Sequence, residues 1–272
     1  MKEASSILDR LRAVASRDLQ TQTSYQFNLL LRFGSLLLAM ASFFFVSQLV
    51  DEAPELASYR GSYFEFVMVG MMVTSFTLVG LRTFAQTITT EQSLGTLEIL
   101  LASPMRVGNL LAGALVVPLA MTAAEILFYL ILGIGFVGVG FSLVGALLAL
   151  PLLILTIGTF CGLGILSAGF IVLTKRGDPI TVVVTQGTTF LGGAYFPVTL
   201  MPEPVQWLAR LTPAFYGIQG IREALLGGAG PAELVDEFTA LIVFTAILLP
   251  GSLWLLSRAL RVARITGTLG NV

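Results

Sequence analysis

Long apolar runs alternate with short charged segments along almost the whole chain. Six runs read as membrane spans, at residues 29–50, 63–84, 107–136, 142–174, 180–196 and 238–256. The third and fourth exceed the ~20 residues that a bilayer core needs. Each holds a proline, Pro118 and Pro151, and the Gly-rich FVGVGF of residues 136–141 reads as the tight turn between them. Ahead of the first span, Ile7, Leu8, Leu11, Val14, Ala15 and Leu19 recur near helical period, with Arg10, Arg12 and Arg17 among them. That pattern predicts an interfacial helix over residues 7–28, lying along the membrane surface with its arginines at the headgroups. Residues 197–230 hold four prolines and apolar pieces too short to cross and too apolar for a solvated loop. They read as a pair of interfacial or re-entrant helices, with Trp207 and Tyr216 suited to the headgroup zone. The expected fold is an all-α polytopic membrane protein, one transmembrane domain over residues 1–272.

One short segment between the second and third spans differs from the rest. Residues 89–104 read TTEQSLGTLEILLASP. Thr89 and Gln92 have capping-box spacing, which predicts a helix start, and Pro104 stops the helix. Leu94, Leu97 and Leu101 share one helical face; Glu91, Gly95 and Glu98 share a neighbouring one. A helix that merely rests on lipid is rich in Lys and Arg, because the cytoplasmic leaflet is negative. This segment has two acids and no base before Arg106. It reads as a docking helix, with the Leu face on the membrane bundle and the Glu face toward a basic groove of a soluble partner. An ordinary solvated turn is the plainer alternative.

Composition agrees with the hydropathy. Hydrophobic residues make up 56% of the chain and charged residues 11%, against about 25% charged in a soluble domain. Mean hydropathy is +0.89. The net charge of −1 says little about partners, because the charges are sorted by position. With a cytosolic N-terminus, twelve bases fall inside and only Arg60, Arg210 and Arg222 outside, so both termini and the docking segment are expected to be cytosolic. The N-terminal MKEASSILDRLRAVASRDLQ is too charged for a signal peptide.

Much chemistry is excluded by residue type. Cys161 is the only cysteine, so an intrachain disulfide is impossible, and the lack of histidine removes His metal sites and His-based nucleophile pairs. Neither lysine, Lys2 or Lys175, stands in a Walker A loop, and HExxH, GxSxG and CxxC are missing. GxG pairs such as Gly133/Gly135 and Gly162/Gly164, and the small-xxx-small pair Gly158/Gly162, read as packing notches. Any work therefore draws on an ion gradient or on another polypeptide. Glu125 is the deep ionisable candidate for an ion-coupled carrier, Glu65 and Arg82 lying near span ends, and no base is expected at its depth. Glu125 alternatively serves packing. A passive membrane scaffold is the third reading, disfavoured by overlong, proline-broken spans.

The EQSLGTLEILLASP stretch after the second span (Glu91, Gly95-Thr96-Leu97-Glu98, Leu101, Pro104) resembles the coupling helix of the type 2 ABC-transporter permeases. Tyr195-Phe196-Pro197, Leu211-Thr212-Pro213, Arg222 and Leu225 resemble that family's outer re-entrant segment. The resemblance covers nearly the whole chain. It implies an exporter subunit of a bacterial or archaeal plasma (inner) membrane, with no catalytic motif or cofactor of its own. Its implied partners are two copies of a separate ATP-binding subunit holding ATP and Mg, a second permease chain in a homodimer, and lipid, but no nucleic acid. Glu91, Gly95, Thr96, Glu98, Leu101, Pro104 and Arg106 would then contact the ATP-binding subunit. Spans two and five would line the path, which makes Phe76, Glu125, Phe190, Tyr195 and Phe196 path candidates. Because these rings are mostly Phe rather than Trp or Tyr, a hydrophobic or amphiphilic, drug-like or lipid-like substrate is expected ahead of a polysaccharide or glycolipid.

Overall fold

The computed structural model describes residues 26–50, 62–95, 107–174 and 178–265, which form helices and turns without a strand. Eight α-helices follow in chain order: α1 Gln26–Val50, α2 Tyr63–Ser93, α3 Val107–Leu132, α4 Leu143–Thr174, α5 Pro179–Leu191, α6 Glu203–Arg210, α7 Pro213–Arg222 and α8 Val235–Ile265. Wide π-helical turns extend α3 over Gly133–Val137 and α7 over Glu223–Gly227. Among the described residues, five helices are long and apolar enough to cross a membrane: α1, α2, α3, α4 and α8. The interfacial helix expected over 7–28 lies outside the described residues except for its last three, which belong to α1.

Two expected boundaries are corrected. The second span does not stop near residue 84; α2 runs on as one helix of 31 residues to Ser93. Thr89 therefore caps nothing, and its hydroxyl donates to the Ala85 carbonyl at 2.9 Å inside the helix. No Gly or Pro separates Phe84 from Ser93, so nothing interrupts the i→i−4 ladder there. The capping box is instead at the other end of α2. Ser62 Oγ accepts from the Glu65 amide at 3.3 Å, and the Glu65 carboxylate accepts from the Ser62 amide at 3.1 Å. The fifth expected span, 180–196, is the 13-residue α5, about 20 Å long and short of a ~30 Å bilayer core. It ends at Gly192-Gly193, where Gly193 takes a left-handed φ of 65° that a side chain would resist.

The frame of the bundle is α2, α4 and α8, packed through glycines. Gly164 of α4 lies so close to α2 that a Cβ there would stand 2.5 Å from the Gly80 carbonyl oxygen. Gly158 and Gly162 face α8 at Thr245 and Leu248, as the small-xxx-small spacing predicts. Gly133 packs on Met68, but Gly135 faces open space and is no packing notch. Two apolar clusters fill the bundle. One gathers Phe64, Met68, Tyr129, Leu152, Ile218 and Leu241. The other, toward the Gly95 end, gathers Phe84, Ile88, Leu111, Ile165, Ile171 and Leu260.

Candidate functional site

Four features concentrate polarity or space in this apolar frame. The first is the Gly95 end of α2. Gly95 has a φ of 68° and its amide donates to the Gln92 carbonyl at 3.0 Å, which closes the helix with a left-handed residue. Glu91 is buried and Leu94 is exposed. At these two positions the expected orientation, leucines toward the bundle and acids outward, is reversed; Leu97, Glu98 and Leu101 lie outside the described residues. The reversal follows from the helix phase: Glu91 continues the inward face of Phe84 and Ile88, at i+7 and i+3. Thr96, Glu98, Leu101, Pro104 and Arg106 lie outside the described residues.

The second feature is an ion pair between spans. Arg32 Nε of α1 meets Glu125 Oε1 of α3, with the Glu125 side chain 7% exposed and that of Arg32 40%. Glu125 thus has a base at its own depth, contrary to expectation. Phe33 rests edge-on against Phe128 at 5.2 Å, which aligns α1 on α3 and brings Arg32 to the carboxylate. Further along α1, Phe44 packs on Phe64 at 6.0 Å, near the start of α2. Arg32 is twelve residues from Phe44, about 18 Å along the helix, and stands near the start of the apolar stretch of α1.

The third feature surrounds Arg222, which sequence reasoning counted among the outside bases. It is 2% exposed. Its Nη2 donates to the carbonyls of Gly193 at 3.1 Å, Phe66 at 3.2 Å and Ala194 at 3.4 Å. The guanidinium carbon stands 3.5 Å from the Phe66 ring centroid. The signal available in the sequence was an arginine flanked by GIQGI and EALL, an apolar setting for a base. Beside it, Tyr63 donates to the Tyr195 carbonyl at 3.0 Å.

The fourth is an apolar cavity of about 340 Å³ between α2, α3, α4 and the end of α7, lined by residues including Phe76, Met72, Ile126, Leu150 and Ile221. Of the path candidates, Phe76 alone is in its wall. Phe190, half-exposed, and Phe196 meet edge-on at 5.6 Å, while Tyr195 stacks on Phe43 at 5.3 Å. The structure therefore brings Phe190 and Phe196 together, pairs Tyr195 with α1, and sets Phe76 in the cavity wall and Glu125 against Arg32. Sequence reasoning also missed Asp178, whose carboxylate accepts from the Thr181 amide at 2.9 Å and from the Ser167 hydroxyl, tying the start of α5 to α4. Its signal was the Asp-Pro at a helix start.

A sequence profile of the ABC-2 type transporter family matches residues 9–226. The chain is 28% identical over 194 residues to the inner membrane transport permease YadH of Escherichia coli (strain K12), covering 67% of this chain and 70% of that protein. It is 28% identical over 204 residues to nodulation protein J of Sinorhizobium fredii, covering 73% of this chain and 75% of that protein. A nodulation protein J of Rhizobium meliloti is 29% identical over 170 residues, covering 61% and 63%. The profile takes in α1 to α7 and reaches into the turn that follows Arg222. This chain belongs to the ABC-2 type transporter family, as a membrane-spanning transport permease.

Proposed function

We propose that the chain is the membrane subunit of an ATP-driven exporter that moves a hydrophobic or amphiphilic substrate outward across a bacterial or archaeal inner membrane. The observation behind this reading is the continuity of α2. It runs from the Ser62 cap to Ser93, about 46 Å, without a break. A displacement applied beyond Gly95 would be delivered along a stiff rod to the opposite end of the bundle. Family membership supports an ATP-binding partner, which on this reading holds the ATP and Mg. Gly95, Thr96, Glu98, Leu101, Pro104 and Arg106 form its contact, Glu91 acting as a buried anchor. Two ATP-binding subunits serve two permease chains paired as a homodimer, with the termini cytoplasmic. The wholly apolar cavity favours a substrate with a hydrocarbon part, and Phe76 is its path residue. A polysaccharide or glycolipid is the second substrate reading, favoured by the Phe43–Tyr195 stack, which adds a hydroxyl to an aromatic surface.

Co-purification with the ATP-binding subunit and reconstitution with a fluorescent amphiphile tests the proposal. ATP-dependent movement is expected, and Glu98→Arg should abolish both transport and partner pull-down while leaving membrane insertion intact. Undiminished partner binding by that variant counts against the contact assignment. Transport under a pH or sodium gradient by the chain alone would favour a carrier built on Glu125 instead.

A further inference from the structure

The early end of α5 is a physical problem that the chain solves at one side chain. A 13-residue helix followed by the irregular Gly192–Phe196 leaves the Gly193 and Ala194 carbonyls outside any helical ladder, and within hydrocarbon such groups would find no solvent partner. Arg222 answers from α7, and the same nitrogen that takes the Gly193 and Ala194 carbonyls also takes that of Phe66 on α2. Gly70, one turn along α2, makes the approach possible. A Cβ there would run into the Ala194 carbonyl and stand 2.9 Å from Arg222 Nη2. Three separate elements are thus pinned at one point: the shaft of α2, the break after α5, and the end of α7. Flanking residues Ile221 and Leu225 form part of the cavity wall opposite Val69, Met72 and Val73 of α2, so the same point also fixes the cavity's width.

We propose that Arg222 is a positioning residue for transport, the joint that makes the end of α7 and the α5 break move as one body with α2. The inference rests on the reading that motion enters α2 beyond Gly95. Lysine is a partial substitute, since its ammonium has three donors for the carbonyls but no plane to lie flat on Phe66. Methionine keeps bulk and loses the donors.

The test compares wild type, Arg222→Lys and Arg222→Met, each purified with the ATP-binding subunit and reconstituted with a fluorescent amphiphile. Transport is divided by ATP hydrolysed, a ratio that a loss of folded protein leaves unchanged. The ratio should fall about tenfold in Arg222→Met, with Arg222→Lys between it and wild type. Hydrogen exchange of residues 192–200 should rise in Arg222→Met while α4 and α8 stay protected. An unchanged ratio overturns the proposal, as does an equal fall of transport and hydrolysis. If Arg222→Met does not accumulate in membranes, Gly70→Ala decides, because it pushes Ala194 away with the arginine intact; an undiminished ratio in that variant overturns the joint. A wild-type complex with no ATP-driven transport sinks the exporter reading instead, and the joint is then judged on exchange alone, where an unaltered 192–200 segment overturns it.

Discussion

Removing water from a guanidinium and a carboxylate costs several kcal/mol per ion, and only their mutual contact offsets it. Arg32 and Glu125 meet where α1 lies on α3, with the acid nearly buried, so each is the other's main compensation. Glu125→Gln leaves a lone base on α1, and Arg32→Gln leaves a lone, nearly buried acid on α3. Breaking a fully buried pair costs about 3–5 kcal/mol. Because Arg32 is 40% exposed, the expected loss is nearer ~2 kcal/mol for either variant. The double variant should lose less than the two singles together, by at least about 1 kcal/mol. Equilibrium unfolding of all four proteins in mixed micelles measures this, and simple additivity would show that the pair contributes no coupling.

At the scale of elements, two sequences of similar form had opposite fates. Ser62 precedes the apolar run YFEFVMVG and Glu65 lies in its first turn, while Thr89 and Gln92 follow such a run. A capping box works at the head of a helix, where amides lack partners. In mid-helix a threonine turns its hydroxyl back to the i−4 carbonyl, as Thr83, Thr87 and Thr89 all do. Ser62→Ala should therefore cost about 1 kcal/mol, and Thr89→Ala close to nothing, by the same unfolding measurement. Equal losses would mean that the α2 start is misassigned. The contrast marks what was legible in the chain. Hydropathy located α1, α2, α3, α4 and α8 because a bilayer demands long apolar runs, whatever their neighbours. It could not end α2, since that depends on which residues follow without interruption. Nor could it show α5 breaking at Gly192-Gly193, because a broken helix is tolerable only with Arg222 supplied from thirty residues away. The Arg32–Glu125 pair was hidden for the same reason: α1 and α3 are distant in sequence, and only their packing brings the two charges level.

Taken whole, the molecule has a dense frame and a loosely held flank. Within their most apolar stretches, 67% of α2 is buried and only 6% of α1. The frame depends on backbone-to-backbone approach where no side chain intervenes, as between α2 and α4 at Gly164. Lipid is as apolar as leucine, so burial alone gives these helices little reason to associate; close van der Waals contact must supply it. A methyl group at Gly164 would stand 2.5 Å from the Gly80 oxygen and 2.6 Å from the Leu81 oxygen, both backbone atoms that cannot swing aside. Gly164→Ala should thus force α2 and α4 apart and cost about 1–3 kcal/mol, or more if the cluster around Phe84 and Ile165 loosens with it. Gly251, inside α8 with open space around its Cβ position, is the matched comparison. Gly251→Ala should be neutral or stabilise by up to about 1 kcal/mol, through helix propensity alone. Unfolding in mixed micelles should separate the two variants clearly, with Gly164→Ala also raising hydrogen exchange in both α2 and α4. If the two alanines behave alike, close glycine contact is not what holds the frame. The rigidity required of α2 as a force-bearing rod would then need another source.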